Sequence, residues 1–313
     1  MWTLDDAPSC IGRRAVVTGA SGGLGFQTAL GLTRLGAKVI VAARDQSKAE
    51  AALARIRAAV PGADVSSSFL DMADLSSIRT FAEGVVDSGA VVDILVNNAG
   101  VAGYPIRRTT RDGFEEQLGT NYLGHFALTA RLMPALLRAS SEARVVGLSS
   151  LAHHKGRMAF DDLQGQARYN GWTAYQQSKL AVLIFTREFQ RRIDAAGWAV
   201  RSVAAHPGWA VTNVVANGPG QGRGGLKPAL LNLLLRTLGQ SASDGALPVL
   251  YAATAPEAEP GGYYGPTGRG ERTGAVGPSR VMPQACDIAT ARALWVASER
   301  LTGTRFGNGE ARV

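Results

Sequence analysis

The sequence predicts an α/β chain, one domain built on a doubly wound, mainly parallel, seven-stranded sheet with helices on both faces. Three observations predict it. Short β-branched runs alternate with helical patterns along most of the chain. Several of those runs are apolar on both faces, as strands buried in a parallel sheet are. A glycine-rich turn follows the first run, where a doubly wound sheet places its phosphate loop.

In chain order, strands are expected over residues 14–18, 38–43, 65–70, 92–96, 143–148 and 199–204. Helical patterns fill the gaps at 25–35, 46–59, 75–86, 112–137 and 174–196. The rhythm breaks after Pro207. Residues 213–225 are rich in glycine and polar groups, and a leucine-rich helix is expected over 226–238. A long excursion of this kind inside a compact domain reads as a lid. A last strand is expected at 263–265, followed by glycines, prolines and a terminal helix over 287–299. The division is therefore 11–205 core, 206–260 lid region and 261–313 last strand and tail, all within one domain.

A hydrophobic fraction of 46% in 313 residues is enough for a sizeable aliphatic core. The two cysteines, Cys10 and Cys286, match no metal or redox spacing, which reads as a reducing compartment. The net charge is +8, but the arginines are scattered in pairs and no stacking-aromatic motif accompanies them, so nucleic acid is not expected. Residues 1–6 show no basic or apolar signal pattern, so a secretion signal is not expected, and the most apolar stretch, 229–235, is too short to span a bilayer. A cytoplasmic protein is expected. His153 and His154 lack further ligands at a suitable spacing, so no metal is expected.

The chemistry concentrates at strand ends. After the first strand comes Thr18-Gly19-Ala20-Ser21-Gly22-Gly23-Leu24-Gly25. Glycines there let backbone approach a pyrophosphate, and the helix that follows aims its N-terminal N–H groups at it. No Lys-Ser or Lys-Thr follows, which excludes a Walker A loop. The second strand ends in Ala43-Arg44, where an NAD site usually carries an acid. Arg44 suits a 2′-phosphate instead, so NADP(H) is favoured over NAD(H). Asp71 and Met72 end the third strand, with Asp71 able to accept from an adenine amino group. Asn98, Ala99 and Gly100 follow the fourth and are small enough to border a cofactor. Tyr175 and Lys179 stand four residues apart on one helix face, 25 residues after Ser150. An ammonium beside a phenol is expected to lower the phenol's pKa toward neutral and make it an acid/base.

In this order, Thr-Gly-x-x-x-Gly-x-Gly at 18–25, Asn-Asn-Ala-Gly at 97–100, Asn121, Ser150, Tyr175-x-x-x-Lys179 and Pro207-Gly208 resemble the short-chain dehydrogenase/reductase family over residues 11–265. Residues 149–154 and 176–181 are most similar to its retinol-dehydrogenase-like branch. The resemblance implies a Rossmann fold and hydride transfer between a nicotinamide cofactor and a carbonyl or alcohol. It implies Tyr175 as acid/base, Lys179 as its partner and a ribose ligand, Ser150 on the substrate oxygen, and Asn121 fixing a water near Lys179. It further implies cofactor contacts from Gly19, Ser21, Gly23, Leu24, Gly25, Asn98, Pro207, Gly208 and Thr212. A homodimer or homotetramer through helices 112–137 and 174–196 is a family expectation. Trp209, Val214, Val215, 230–235, Tyr169 and Trp172 suggest apolar pocket walls and a lipophilic substrate. Two other readings stay open: a silent NADP-binding sensor or scaffold, and an epimerase or dehydratase using the same tyrosine.

Overall fold

The computed structural model describes residues 2–209 and 240–307. The expected lid helix and the apolar lid positions Val214 and Val215 lie outside the described residues, as does Thr212. Among the described residues eight strands form one sheet in the order β3-β2-β1-β4-β5-β6-β7-β8. They are β1 Arg14–Thr18, β2 Lys38–Ala43, β3 Val65–Phe69, β4 Ile94–Asn97, β5 Ala143–Leu148, β6 Val200–Ala205, β7 Tyr263–Pro266 and β8 Val276–Pro278. The first seven run parallel, and β8 adds an eighth, antiparallel strand beside β7. The sequence reading missed β8 because a three-residue Val-Gly-Pro run carries no alternation to detect.

The helices are α1 Gly23–Arg34, α2 Gln46–Ala59, α3 Leu75–Asp87, α4 Glu116–Leu118, α5 Gly124–Leu136, α6 Gly171–Ala196, α7 Ala242–Thr254 and α8 Ile288–Thr302. One face of the sheet buries α1, α2 and α7 through residues such as Leu32, Ile56 and Leu250. The other buries α3, α5, α6 and α8. There Phe126, Phe185, Phe189, Trp295 and Phe306 form one aromatic cluster, with Phe126 and Trp295 centroids 5.2 Å apart. Each such ring buries a large apolar area, so this cluster anchors the tail helix to the core.

Several helix boundaries depart from the sequence reading, and two of them bear on the catalytic residues. The helix expected over 112–137 begins only at Glu116, where the Glu115 carboxylate accepts from the N–H groups of Gln117 and Leu118. It is then interrupted by a π turn, Gly119–Leu123, before α5 continues it. Wide turns of this kind recur at functional sites, and this one contains Asn121. Conversely, α6 starts three residues before the expected 174. Asn170 caps it by accepting from Trp172 and Thr173, so an Asn-Gly pair that looks like a turn is a helix start.

The register places Thr18 beside Ala42 and Leu148 beside Ala205. The C-terminal strand ends thus share one edge. The strand order reverses at β1, whose neighbours are β2 and β4. The crevice outside that switch point is where doubly wound sheets bind ligands.

Candidate active site

The glycine loop joins β1 to α1 at this crevice. Gly19 has φ +66, in the left-handed region, and a Cβ there would stand 2.9 Å from Ala99 Cα. A Cβ at Gly25 would overlap Asn98 Nδ2 and lie 2.6 Å from the Gly19 carbonyl oxygen. Gly22 and Gly23 open α1, with Leu24 and Gly25 buried and Ser21 half-buried beside them. The result is a backbone-only cradle at a helix N-terminus, which is what a pyrophosphate requires.

Thr18 ties that cradle to the next strand. Its Oγ1 accepts from the backbone N–H groups of Asn98 and Ala99, each at 2.9 Å, and its carbonyl accepts from Asn98 Nδ2 at 2.7 Å. Asn98, expected to touch a ribose, therefore gives its amide N–H to the protein. His125 completes the tie. Its Nδ1 faces the Asn121 carbonyl at 3.0 Å, so Nδ1 carries the proton, and Nε2 accepts from Thr18 Oγ1 at 3.0 Å. Burial holds the His125 pKa down at about 4, which keeps this tautomer neutral. The sequence reading missed His125; its only signal is the i+4 spacing from Asn121.

Asn121 is buried. Its amide clamps both backbone groups of Val101 (Oδ1 accepting at 2.8 Å, Nδ2 donating at 2.9 Å) and reaches Ser178 Oγ. A Cβ on Gly100 would stand 3.1 Å from Asn121 Oδ1 and 3.5 Å from Lys179 Nζ. Asn121, Gly100 and Lys179 therefore converge, and only a glycine leaves that space open.

The two serines after β5 separate cleanly. Ser149 is buried, and its hydroxyl donates to the Lys179 carbonyl at 2.8 Å. Ser150 is half-buried, its Oγ accepts from the Ala152 N–H at 3.2 Å, and it lies near enough to the Tyr175 phenol to favour its ionised form. Tyr175 lies in the second turn of α6, its ring stacked against Trp172 at 5.4 Å, and Trp172 remains half-exposed. One turn on, Lys179 Nζ donates to the Leu148 carbonyl at 2.9 Å and lies 5.8 Å from the Tyr175 ring centroid.

The electrostatics correct one expectation. The Tyr175 pKa is raised, not lowered: burial of the phenol dominates, and the nearby Ser150 hydroxyl only partly offsets it. Lys179 is itself pulled down to about 8 by burial, with its Nζ turned to a carbonyl. A charge held that way does not dominate the phenol's titration.

At the other end of the crevice, Arg44 is exposed after Ala43, and Met72 is buried. Asp71 is half-buried and accepts from the Ala73 N–H at 2.9 Å. Burial raises the Glu116 pKa, with Arg108 and Arg44 only partly offsetting it, and the Arg108 guanidinium lies 4.6 Å over the Tyr104 ring. In the sequence Arg108 is only one member of the scattered arginine pairs. Pro207 and Gly208 leave β6 next to Ser149, whose N–H donates to the Ala205 carbonyl at 2.9 Å. Tyr169, read as a pocket wall, instead hydrogen-bonds Glu115 and Gln117 at 3.1 Å.

The glycine cradle, the strand-edge crevice and the Ser150–Tyr175–Lys179 group fit a dinucleotide with a reacting oxygen beside the phenol. Residues 13–219 match the family model described as short chain dehydrogenase. The chain belongs to the short-chain dehydrogenase family. It is an oxidoreductase of the kind that acts on CH–OH groups. Human retinol dehydrogenase 13 is 42% identical over 294 residues, covering 93% of this chain and 85% of that protein. Mouse polyprenol dehydrogenase is 38% identical over 306 residues, covering 96% and 86%. Among solved structures, an uncharacterised protein from Mycobacterium paratuberculosis is 42% identical with a TM-score of 0.80, covering 98% of this chain and 99% of its own. One described as an NAD(P)-dependent gluconate 5-dehydrogenase from Beutenbergia cavernae, with NADP at low occupancy, is 28% identical with a TM-score of 0.62, covering 79% and 91%. These matches place this short-chain dehydrogenase in the retinol-dehydrogenase-like branch. Among the described residues no helix is long and apolar enough to cross a membrane.

Proposed function

We propose that this short-chain dehydrogenase is an NADP(H)-dependent enzyme that interconverts a lipophilic ketone or aldehyde with its alcohol, with Ser150, Tyr175 and Lys179 as its catalytic residues. A nicotinamide dinucleotide, when bound, would supply or take the hydride. Gly19, Gly23 and Gly25 hold its pyrophosphate, Arg44 its 2′-phosphate, and Lys179 its nicotinamide ribose.

The observation that carries this reading is the meeting of the Ser150 hydroxyl and the Tyr175 phenol beside the glycine cradle. Ser150 donates to the substrate oxygen where negative charge develops. Tyr175 gives its proton to that oxygen. A raised phenol pKa keeps that proton in place at neutral pH, which suits carbonyl reduction. The phenolate left behind stands one helical turn from the Lys179 ammonium, which stabilises it. Asn121, clamped to Val101 beside Lys179, positions a water that returns the proton. The half-exposed Trp172 ring on Tyr175 supports an apolar substrate.

The test is absorbance at 340 nm with NADPH or NADH and a graded panel of aldehydes and ketones. Oxidation of NADPH in preference to NADH, faster with longer apolar carbonyls, is expected. Binding without turnover across the panel would leave a silent sensor as the better reading.

A further inference from the structure

The loop that follows β6 is held from outside by the chain's tail, and this arrangement assigns a role to residues that the reaction does not use. His206 is fully buried at the start of that loop. Its Nδ1 accepts from the Gly208 N–H at 3.1 Å, so Nδ1 is bare and Nε2 carries the proton. Nε2 lies 2.9 Å from Ser279 Oγ and 3.5 Å from the Glu271 carboxylate. Both partners belong to the segment joining and following β7 and β8. The Glu271 carboxylate also accepts from the Arg280 N–H at 2.8 Å.

Glu271 has φ 55, and among the described residues it is the one non-glycine with positive φ. That conformation costs free energy and persists only where surrounding contacts enforce it. Its neighbour continues the grip. The Arg272 carbonyl accepts from the Trp209 N–H at 2.8 Å, and the Arg272 guanidinium lies 4.1 Å over the Trp209 ring. Gly208 has φ +61, and a Cβ there would overlap the Arg272 carbonyl oxygen. From the other side, Gln240 Nε2 donates to the Pro207 carbonyl at 2.6 Å.

We propose that the hydrogen bond from His206 to Ser279, with the Glu271 carboxylate beside the same nitrogen, is a latch by which the tail loop fixes the backbone of residues 206–209, making His206 and Ser279 positioning residues for the nicotinamide end of the cofactor. The proposal rests on the dinucleotide reading above, because that loop leaves β6 beside Ser149 and Ser150. His206 acts as a two-ended spacer: one nitrogen sets Gly208, the other is set by the tail.

Two variants cut the tail end of the spacer. His206→Asn keeps an acceptor for the Gly208 N–H but cannot reach Ser279 and Glu271. Ser279→Ala deletes the hydroxyl that Nε2 meets, and at a half-buried loop position so small a change is not expected to harm the fold. Hydrogen exchange of the His206, Gly208 and Trp209 amides, measured without cofactor, should speed up about tenfold in each variant, the equivalent of one lost hydrogen bond. KM for NADPH should rise about tenfold while kcat changes by less than about threefold, the pattern of weakened binding rather than lost chemistry. Unaltered exchange in both folded variants overturns the latch, whatever the cofactor does. If the parent protein binds neither NADPH nor NADH, the dinucleotide reading fails, and the exchange data still decide whether the latch exists.

Discussion

The two loops at the sheet edge, 18–25 and 206–209, would hold opposite ends of one dinucleotide, yet they are built on different plans. The first is shaped by its own glycines and braced by Thr18, Asn98 and His125 from adjoining strands and one helix. The second has one glycine at positive φ and takes its shape from Gln240, Glu271, Arg272 and Ser279, none nearer than 31 residues along the chain from Trp209. A loop made of short-range sequence is readable as a motif. A loop made of long-range contacts is readable only once the chain is folded.

The largest effect should come from between the loops. Tyr175→Phe should lower kcat by about two to four decades, the usual worth of a positioned acid/base, while dinucleotide affinity stays near the parent value. Titrating protein fluorescence with NADPH beside initial rates checks both halves. A parallel collapse of affinity would mean the phenol belongs to the binding loops and not to the chemistry between them.

Breaking the first loop comes next. Gly25→Val drives a side chain into Asn98 Nδ2 and the Gly19 carbonyl. Overpacking of this kind costs roughly 1–3 kcal/mol, and dinucleotide affinity should fall by about two decades as the cradle closes. Calorimetric binding together with a thermal melt separates the two losses. Near-normal binding would show that the cradle does not carry the pyrophosphate.

Acid should strain the first loop and the turn that carries Ser150 together. His125 braces the first loop and His153 donates to the Ser150 carbonyl at 2.7 Å, and burial lowers both pKa values to about 4. Between that value and the ordinary 6.5, the unfolded chain binds more protons than the folded one. Stability is therefore full above about pH 6.5 and falls as pH drops toward 4, by up to roughly 3 kcal/mol for each histidine. Urea midpoints across that range test the slope, and a flat profile would mean that these rings titrate normally.

The smallest change is at the exposed edge. Arg44→Asp should shift preference toward NADH by about tenfold, through the loss of one charge-assisted contact and gain of a ribose acceptor. Paired kcat/KM values for the two cofactors measure it, and an unchanged ratio would move the 2′-phosphate away from Arg44.

Much of this molecule was legible before folding. The strand–helix alternation, the glycine loop, and the Ser150, Tyr175 and Lys179 spacing each follow from patterns a few residues long, because backbone sterics and helix periodicity act locally. The π turn at Asn121, the added strand β8 and the Asn170 cap were less so, since each depends on what a short, weakly patterned segment packs against.

Sequence by itself determined the mainly parallel sheet, the glycine loop after its first strand and the oxidoreductase family. Tertiary structure alone decided which way the Tyr175 pKa moves, because desolvation is a property of surroundings and not of a neighbour four residues away. It alone decided that His125 and His206 are internal braces. A buried imidazole finds its two partners through space, and nothing in the order of residues records which those will be.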